Sequence, residues 1–163
     1  MAKTISRKQI ESKIREFRGQ RVILDADLAE LYRTETKNLK RQVTRNSERF
    51  PDDFAFQLTR EEFNDLRAQI GTSSWGGTRY LPMAFTEHGI LMLSNVIRSE
   101  RAIDVSVQII RVFNTMREMI GQYQELFEKI QKIERRQNIE SKAIWNALRV
   151  IQKGLLEPPA SKE

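Results

Sequence analysis

The spacing of apolar residues at the start of the chain predicts a short helical segment and then an extended one. Ile10, Ile14 and Phe17 are spaced as on one face of a helix, which predicts an opening helix. Arg18-Gly19-Gln20 would end that helix, and the apolar run 21–24 predicts a strand after it. Because a short apolar run is compatible with the periodicity of either a helix or a strand, a β-hairpin over roughly 14–24 fits the same residues.

Two short helical patterns joined by a tight turn follow. The first has a buried face of Leu28, Ala29, Leu31 and Tyr32, and Asp25 is placed to cap its N-terminus. The second covers residues 36–46, where Thr36 is placed to cap the helix and Leu39 and Val43 predict its buried stripe. Two helices in this arrangement are typical of a helix-turn-helix.

The outer face of the second helix is predicted to contact DNA; it carries Lys37, Asn38, Lys40, Arg41, Thr44 and Arg45. Solvated helix faces usually mix charge signs to gain i,i+4 ion pairs, whereas no acidic residue lies between Lys37 and Arg45. Arg41 and Arg45 suit guanine edges or phosphates, and Asn38 suits adenine. Lys37 and Lys40 are expected at phosphates that position the helix. The alternative is an ordinary solvated surface helix.

The centre of the chain predicts alternating short strands and helices. Residues 54–58 alternate as a strand, and Thr59 with Glu62 forms a capping box for a helix that ends near Ile70. Residues 79–85 predict a return strand, at an edge or a bulge because it contains a proline. A further helix capped by Thr86 follows.

The loop 72–79 joins that helix to the return strand. It places Ser, Thr and Gly residues around Trp75 and ends at Arg79. We predict a wing in which Arg79 contacts DNA, while Trp75 either contacts DNA as well or folds back on the core. The glycines are not followed by Lys-Ser/Thr, so the loop is not a nucleotide-binding loop.

The C-terminal third predicts a long helical arm, which begins at a cap on Ser99. Its apolar residues step by three and four, as in a coiled-coil seam. The predicted oligomerisation residues are Ile120, Tyr123, Phe127, Ile130, Ile144, Leu148 and Ile151. A polar interruption at 135–138 marks either a register break or a bend that starts a second helix. An arm folded back on its own domain is the alternative to oligomerisation.

Charge distribution favours a polyanionic partner. The net charge is +6, and residues 1–50 alone carry 13 Lys and Arg against 7 Asp and Glu. A basic module on a near-neutral body is typical of nucleic-acid binding, since each cation that meets a phosphate releases counterions. Charge that serves only solubility is the alternative.

The inventory of reactive side chains argues against catalysis. The chain has no cysteine and one histidine, His88, so thiolate chemistry is excluded and a zinc site is not expected. The carboxylate pairs 52–53 and 61–62 lie in a turn and on a helix surface, which does not suit paired acid–base catalysis. We expect neither enzyme activity nor a cofactor. With no membrane span or signal peptide in the sequence, we expect a cytoplasmic, nucleoid-associated protein.

Several collinear blocks resemble a known family. They are 18–32 (RGQRVILDADLAELY), 49–59 (RFPDDFAFQLT), 72–82 (TSSWGGTRYLP), 84–89 (AFTEHG) and 99–103 (SERAI). These blocks are similar to the "ORF six N-terminal" DNA-binding domain family of phages, a relative of KilA-N. The resemblance implies a compact α+β DNA-binding module with a variable C-terminal region, as found in phage antirepressor-like and regulatory proteins. Family members often have glycine where this chain has Arg33, which predicts a strained backbone or a different turn there.

We therefore predict an α+β helix-turn-helix domain with a small β-sheet at 15–117. It lies between an N-terminal extension, 1–14, and a helical oligomerisation arm, 118–157, with a disordered tail at 158–163. The predicted function is double-stranded DNA binding by an oligomeric transcriptional regulator. The alternative is an antirepressor-like module that binds a protein partner through the arm, and an RNA-binding protein ranks third because no aromatic stacking platform is present.

Overall fold

The computed structural model of the protein describes residues 4–71, 80–137 and 142–156, which form an α+β fold. The strands are β1 Arg15–Phe17, β2 Gln20–Leu24, β3 Ala55–Gln57 and β4 Met83–Phe85. The helices are α1 Arg7–Glu11, α2 Asp25–Tyr32, α3 Thr36–Arg45, α4 Arg60–Ile70, α5 Glu87–Ile97, α6 Glu100–Gln137 and α7 Lys142–Leu156. A 3₁₀ turn, Ser47–Arg49, follows α3. No helix in these ranges is long and apolar enough to cross a bilayer.

The start of the chain is a helix and a hairpin, so the prediction of one helix through Phe17 is wrong and the hairpin alternative is confirmed. α1 ends at Glu11, and β1 pairs with β2 in antiparallel register. The two loop residues, Arg18 and Gly19, have φ values of 55° and 72°. Positive φ at both loop positions matches the right-handed twist of a two-residue hairpin, and this local turn overrides the helical spacing of the apolar residues.

The sheet has the strand order β1-β2-β4-β3 and is antiparallel throughout. β4 lies between β2 and β3 and pairs regularly with both within Met83–Phe85, so the predicted edge position is wrong and the alternative, a bulge, is absent from these three residues. Pro82 precedes the ladder and only its carbonyl is used, as acceptor for the Leu58 N–H at 2.9 Å. The missing proline N–H therefore costs the sheet no hydrogen bond.

Alternate residues of the strands face two separate cores. Ile23 and Phe85 lie in the larger core with α1, α2, α3, α5 and the first half of α6. Val22 and Ala84 lie in the smaller one, which α4 covers. Residues 7–14, predicted as an extension, supply Ile10 and Ile14 to the larger core. The hydrophobic core of the domain therefore includes α1.

Two predicted helix caps are wrong, and three are confirmed. Leu24 is the N-cap of α2 and Glu35 that of α3, so Asp25 and Thr36 are the first residues inside their helices. Side-chain oxygens accept backbone N–H groups at the predicted caps Thr59, Thr86 and Ser99. The carboxylate of Asp25 is consequently available for longer-range contacts.

The arm contains a long helix and a second helix that folds back along it. α6 has 38 residues; its first half is part of the larger core, and its second half extends past it. The ring of Phe127 packs edge-on against Trp145 of α7 at 4.7 Å, and the Tyr123 hydroxyl donates to the Leu148 carbonyl at 2.8 Å. Later residues of α6 thus meet earlier residues of α7, so the two helices are antiparallel. The predicted second helix is confirmed.

Candidate nucleic-acid interface

The turn between α2 and α3 is closed by a residue in the left-handed conformation. Arg33 has φ 56° and ψ 47°, and its N–H donates to the Glu30 carbonyl at 3.1 Å. The next N–H, that of Thr34, donates to the Ala29 carbonyl at 2.9 Å. This six-to-one bond is the Schellman ending that usually places glycine at the turn. The strained backbone predicted at Arg33 is confirmed.

α3 buries one narrow stripe and exposes the opposite face. Leu39 and Val43 are buried, and the helix packs against α2 and α5. Arg41 lies about 180° from this stripe at ~100° per residue. The exposed residues around it are Lys37, Asn38, Thr44 and Arg45. The helix therefore presents five of the six predicted DNA-contacting residues to solvent on one continuous face.

The cationic side chains on this face are not engaged within the described part of the chain. Lys37, Arg41 and Arg45 form no ion pair or side-chain hydrogen bond there. The Thr44 hydroxyl, in contrast, donates to the Lys40 carbonyl at 3.0 Å within the helix. Guanidinium groups without protein partners retain their full donor capacity for bidentate contacts with an anion or a base edge.

Lys40 differs from its neighbours because its ammonium has partners within the protein, although its side chain is 33% exposed. It lies 3.2 Å from the Asp25 carboxylate and donates to the Leu81 carbonyl, also at 3.2 Å. Asp25 is buried and also accepts the N–H groups of Ala26 at 2.8 Å and Met83 at 3.1 Å. The carboxylate thus joins the start of α2, the middle of α3 and the start of β4. In the sequence, an acid directly after a buried strand predicts a helix cap and not these longer-range contacts.

A second buried carboxylate, Asp27, fixes the other side of α2. Its partners are Lys13 at 3.3 Å and Arg15 at 3.9 Å. Burial raises the pKa of Asp27 even though both cations oppose the shift, and burial lowers the pKa of Arg15. Burial would also lower the pKa of Lys13, but its hydrogen bond to Glu30 and the two acidic charges outweigh this effect and raise it. The cluster holds the N-terminal hairpin against the helix-turn-helix.

The predicted wing residues, Trp75 and Arg79, lie outside the described residues, and their DNA contacts stay predictions. The structure resumes at Tyr80, whose exposed ring lies 5.9 Å from the Lys40 ammonium. Tyr80, the first described residue after the loop, therefore lies beside α3.

The single histidine lies in the first turn of α5, where its ring stacks on Phe54 with centroids 5.5 Å apart. Over the ranges that the structure describes, no three His, Asp or Glu side chains are grouped as they would be around a metal ion.

Comparison with protein families agrees with the resemblance predicted from the sequence. The model of the ORF6N domain matches residues 12–96, which extend from the end of α1 into α5 and cover just over half of the chain. Searches of curated proteins and of solved structures give no match. The matched region contains the complete sheet, both helices of the helix-turn-helix and Asp25 with its partners. The chain therefore belongs to the ORF6N domain family.

Proposed function

We propose that the protein binds double-stranded DNA through the exposed face of α3 and acts as a non-catalytic transcriptional regulator. One observation carries the proposal: Lys37, Arg41 and Arg45 share this face, without acidic neighbours in the helix and without partners in the described part of the chain. α3 is also the second helix of a helix-turn-helix, the element that such folds insert into the major groove. Family membership supports the same class of function.

The placement of each side chain suggests its role. Lys37 and Asn38 lie in the first turn of α3, the part of a recognition helix that usually reaches the bases, and Arg41 lies one turn later. Arg45 in the last turn suits a phosphate or a guanine edge. Lys40 holds α3 in position through Asp25 instead of contacting DNA. Arg79 and Trp75 in the loop 72–79 would contact the backbone beside α3.

Fluorescence anisotropy on random duplex DNA across a salt series tests this proposal. The variant Arg41→Ala/Arg45→Ala should bind at least tenfold more weakly at low salt, because charge-assisted contacts are lost. If both residues contact phosphates, the slope of log K against log salt should fall by about 1.8, at ~0.9 per contact.

The matched control is Arg111→Ala/Arg149→Ala, which removes the same charge from exposed positions on α6 and α7. It should retain affinity to within about threefold, since it lacks only long-range attraction. Equal losses in the two variants would reduce the proposal to non-specific attraction, and no binding by the wild type would refute it. An RNA duplex should compete poorly, because its deep, narrow major groove does not admit a helix.

A further inference from the structure

Part of the predicted oligomerisation seam is used within a single chain. Tyr123 and Phe127 of α6 contact Leu148 and Trp145 of α7, and the Trp145 indole donates to Glu134. A heptad pattern alone does not distinguish such an internal helical hairpin from a coiled coil between subunits. Self-association through the arm would therefore use apolar residues that the hairpin leaves exposed.

The hairpin leaves an ordered set of large apolar side chains in solvent. Among them, Met119, Leu126 and Ile133 lie one heptad apart on α6, and Ile144 and Ile151 lie one heptad apart on α7. Their side chains are between 43% and 54% exposed. We call these five residues the hairpin face.

The two rows lie on the same side of the hairpin. At ~100° per residue, the α6 row lies about 80° from the direction of Tyr123 and Phe127, which point to α7. The α7 row lies about 80° from the direction of Trp145 and Leu148, in the same rotational sense. Because the helices are antiparallel, equal offsets in the same sense bring both rows to one side. The hairpin face is therefore one continuous apolar surface.

The polar border of this face has opposite charges at its two ends. Along the outer edge of α6, Glu118 and Glu125 come first, and Lys129, Lys132 and Arg136 follow. All five are exposed, and Glu125 pairs with Lys129 at 2.8 Å within the chain. A second copy of α6 that runs antiparallel would set acidic against basic residues, whereas a parallel copy would set like charges together.

We propose that the hairpin face binds the hairpin face of a second copy, which forms a four-helix bundle in which the two α6 helices are antiparallel and cross near Leu126. Met119 of one copy then packs near Ile133 of the other. The five side chains expose roughly 450 Å² of apolar surface per copy, so pairing buries about 900 Å² before the polar borders add to it, and stable interfaces bury about 1,200–2,000 Å². The inference goes beyond DNA binding and does not depend on it.

Sedimentation equilibrium of the full chain tests the pairing. The wild type should be a dimer at micromolar concentrations, and Leu126→Glu should raise the dimer Kd at least 100-fold. Val150→Glu is the matched control: Val150 is 72% exposed on α7 but lies about 110° from the hairpin face, so this variant should stay dimeric. The near-ultraviolet circular dichroism spectrum, to which Trp145 packed against Phe127 contributes, should be unchanged in both variants. A monomeric wild type, as expected if the face binds a different protein, or equal dissociation of both variants would overturn the proposal.

Disulfide cross-linking tests the orientation, because the chain has no cysteine of its own. Met119→Cys and Ile133→Cys should cross-link to each other when mixed and neither should cross-link to itself, while Leu126→Cys should cross-link alone. Self-cross-linking of the first two would indicate parallel helices and refute the arrangement. The same measurements on Arg41→Ala/Arg45→Ala should be unchanged, so a failure of this proposal is distinguishable from a failure of DNA binding.

Discussion

Replacing Lys40 with methionine tests whether Lys40 contacts DNA, as the sequence predicts, or positions α3 within the fold. The sequence predicts a phosphate contact for Lys40, whereas in the structure its ammonium lies between the Asp25 carboxylate and the Leu81 carbonyl. Methionine keeps the length and apolar character of the side chain and removes only the charge and its donors. Lys37→Met is the matched control, because Lys37 is an exposed lysine on the same helix.

The structure sets the expected size of the effect. The Asp25 side chain is 3% exposed and keeps two backbone N–H donors when Lys40 is lost, while the Lys40 side chain is 33% exposed. Breaking a fully buried pair costs about 3–5 kcal/mol, and the solvent around Lys40 reduces this to about 2 kcal/mol. In a chain of this size, that loss lowers the melting temperature by roughly 4–8 °C. Lys37→Met should change the free energy of unfolding by less than about 0.5 kcal/mol.

Two measurements on each variant decide between the roles. Urea unfolding gives the free energy of unfolding, and anisotropy across a salt series gives the number of phosphate contacts. If Lys40 is a positioning residue, Lys40→Met lowers stability and leaves the salt slope of DNA binding unchanged. Lys37→Met should do the opposite and lower the slope by about 1. A stable Lys40→Met protein whose salt slope falls by about 1 would refute the positioning role and restore the phosphate contact.

Three further substitutions test separate parts of the fold. Burial raises the pKa of Tyr32 from 10.0 to about 12, so the unfolded chain loses this proton first and stability falls as pH rises above 10. Urea unfolding at pH 8 and 11 should show a fall about 1.4 kcal/mol smaller in Tyr32→Phe than in the wild type, and equal falls would contradict the shift. Gly89→Ala would place its Cβ against the Phe54 carbonyl, so thermal melts should show a loss of about 3 kcal/mol; a loss below 1 kcal/mol would mean that the backbone moves freely. Arg33→Gly removes left-handed strain at φ 56°, so urea unfolding should show a gain of about 0.5–1 kcal/mol, and a loss would assign Arg33 a contact that outweighs its strain.

The helix-turn-helix could be predicted from the sequence because the information for it is local. The spacing of Leu39 and Val43 fixes which side of α3 is buried, and it thereby fixes the exposed face that carries Arg41 and Arg45. The left-handed residue at the turn has no such local signal, because a non-glycine residue rarely adopts a positive φ, and only the resemblance to the family predicts a strained backbone at Arg33. The sequence blocks that resemble the family extend through the domain, and they predict its α+β fold class.

Contacts between distant parts of the chain could not be predicted in the same way. The distinction between Lys40 and Lys37 depends on Asp25 and Leu81, which lie 15 and 41 residues from Lys40 in the sequence and next to it only in the fold. The central position of β4 likewise depends on the order of the strands in the sheet. A proline in the segment predicts an edge strand, and the sequence does not show that Pro82 lies just before the residues that pair. The same limit applied to the arm, where the partner of Tyr123 lies in α7.

The packing of the domain connects α3 to the arm, because α6 belongs to both the domain core and the arm. The first half of α6 contacts the end of α2, where the Tyr32 and Ser106 hydroxyls lie 2.6 Å apart and the Arg101 guanidinium donates to the Leu31 carbonyl at 3.0 Å. α2 in turn fixes α3 through the closed turn at Arg33 and through Asp25. Since α6 continues without interruption into the hairpin face, pairing two arms would also set the separation of two α3 helices. The spacing of two DNA half-sites would then depend on the length of α6, so a seven-residue insertion before the hairpin face, which preserves its helical phase, should change the preferred spacing and leave the affinity for a single half-site unchanged.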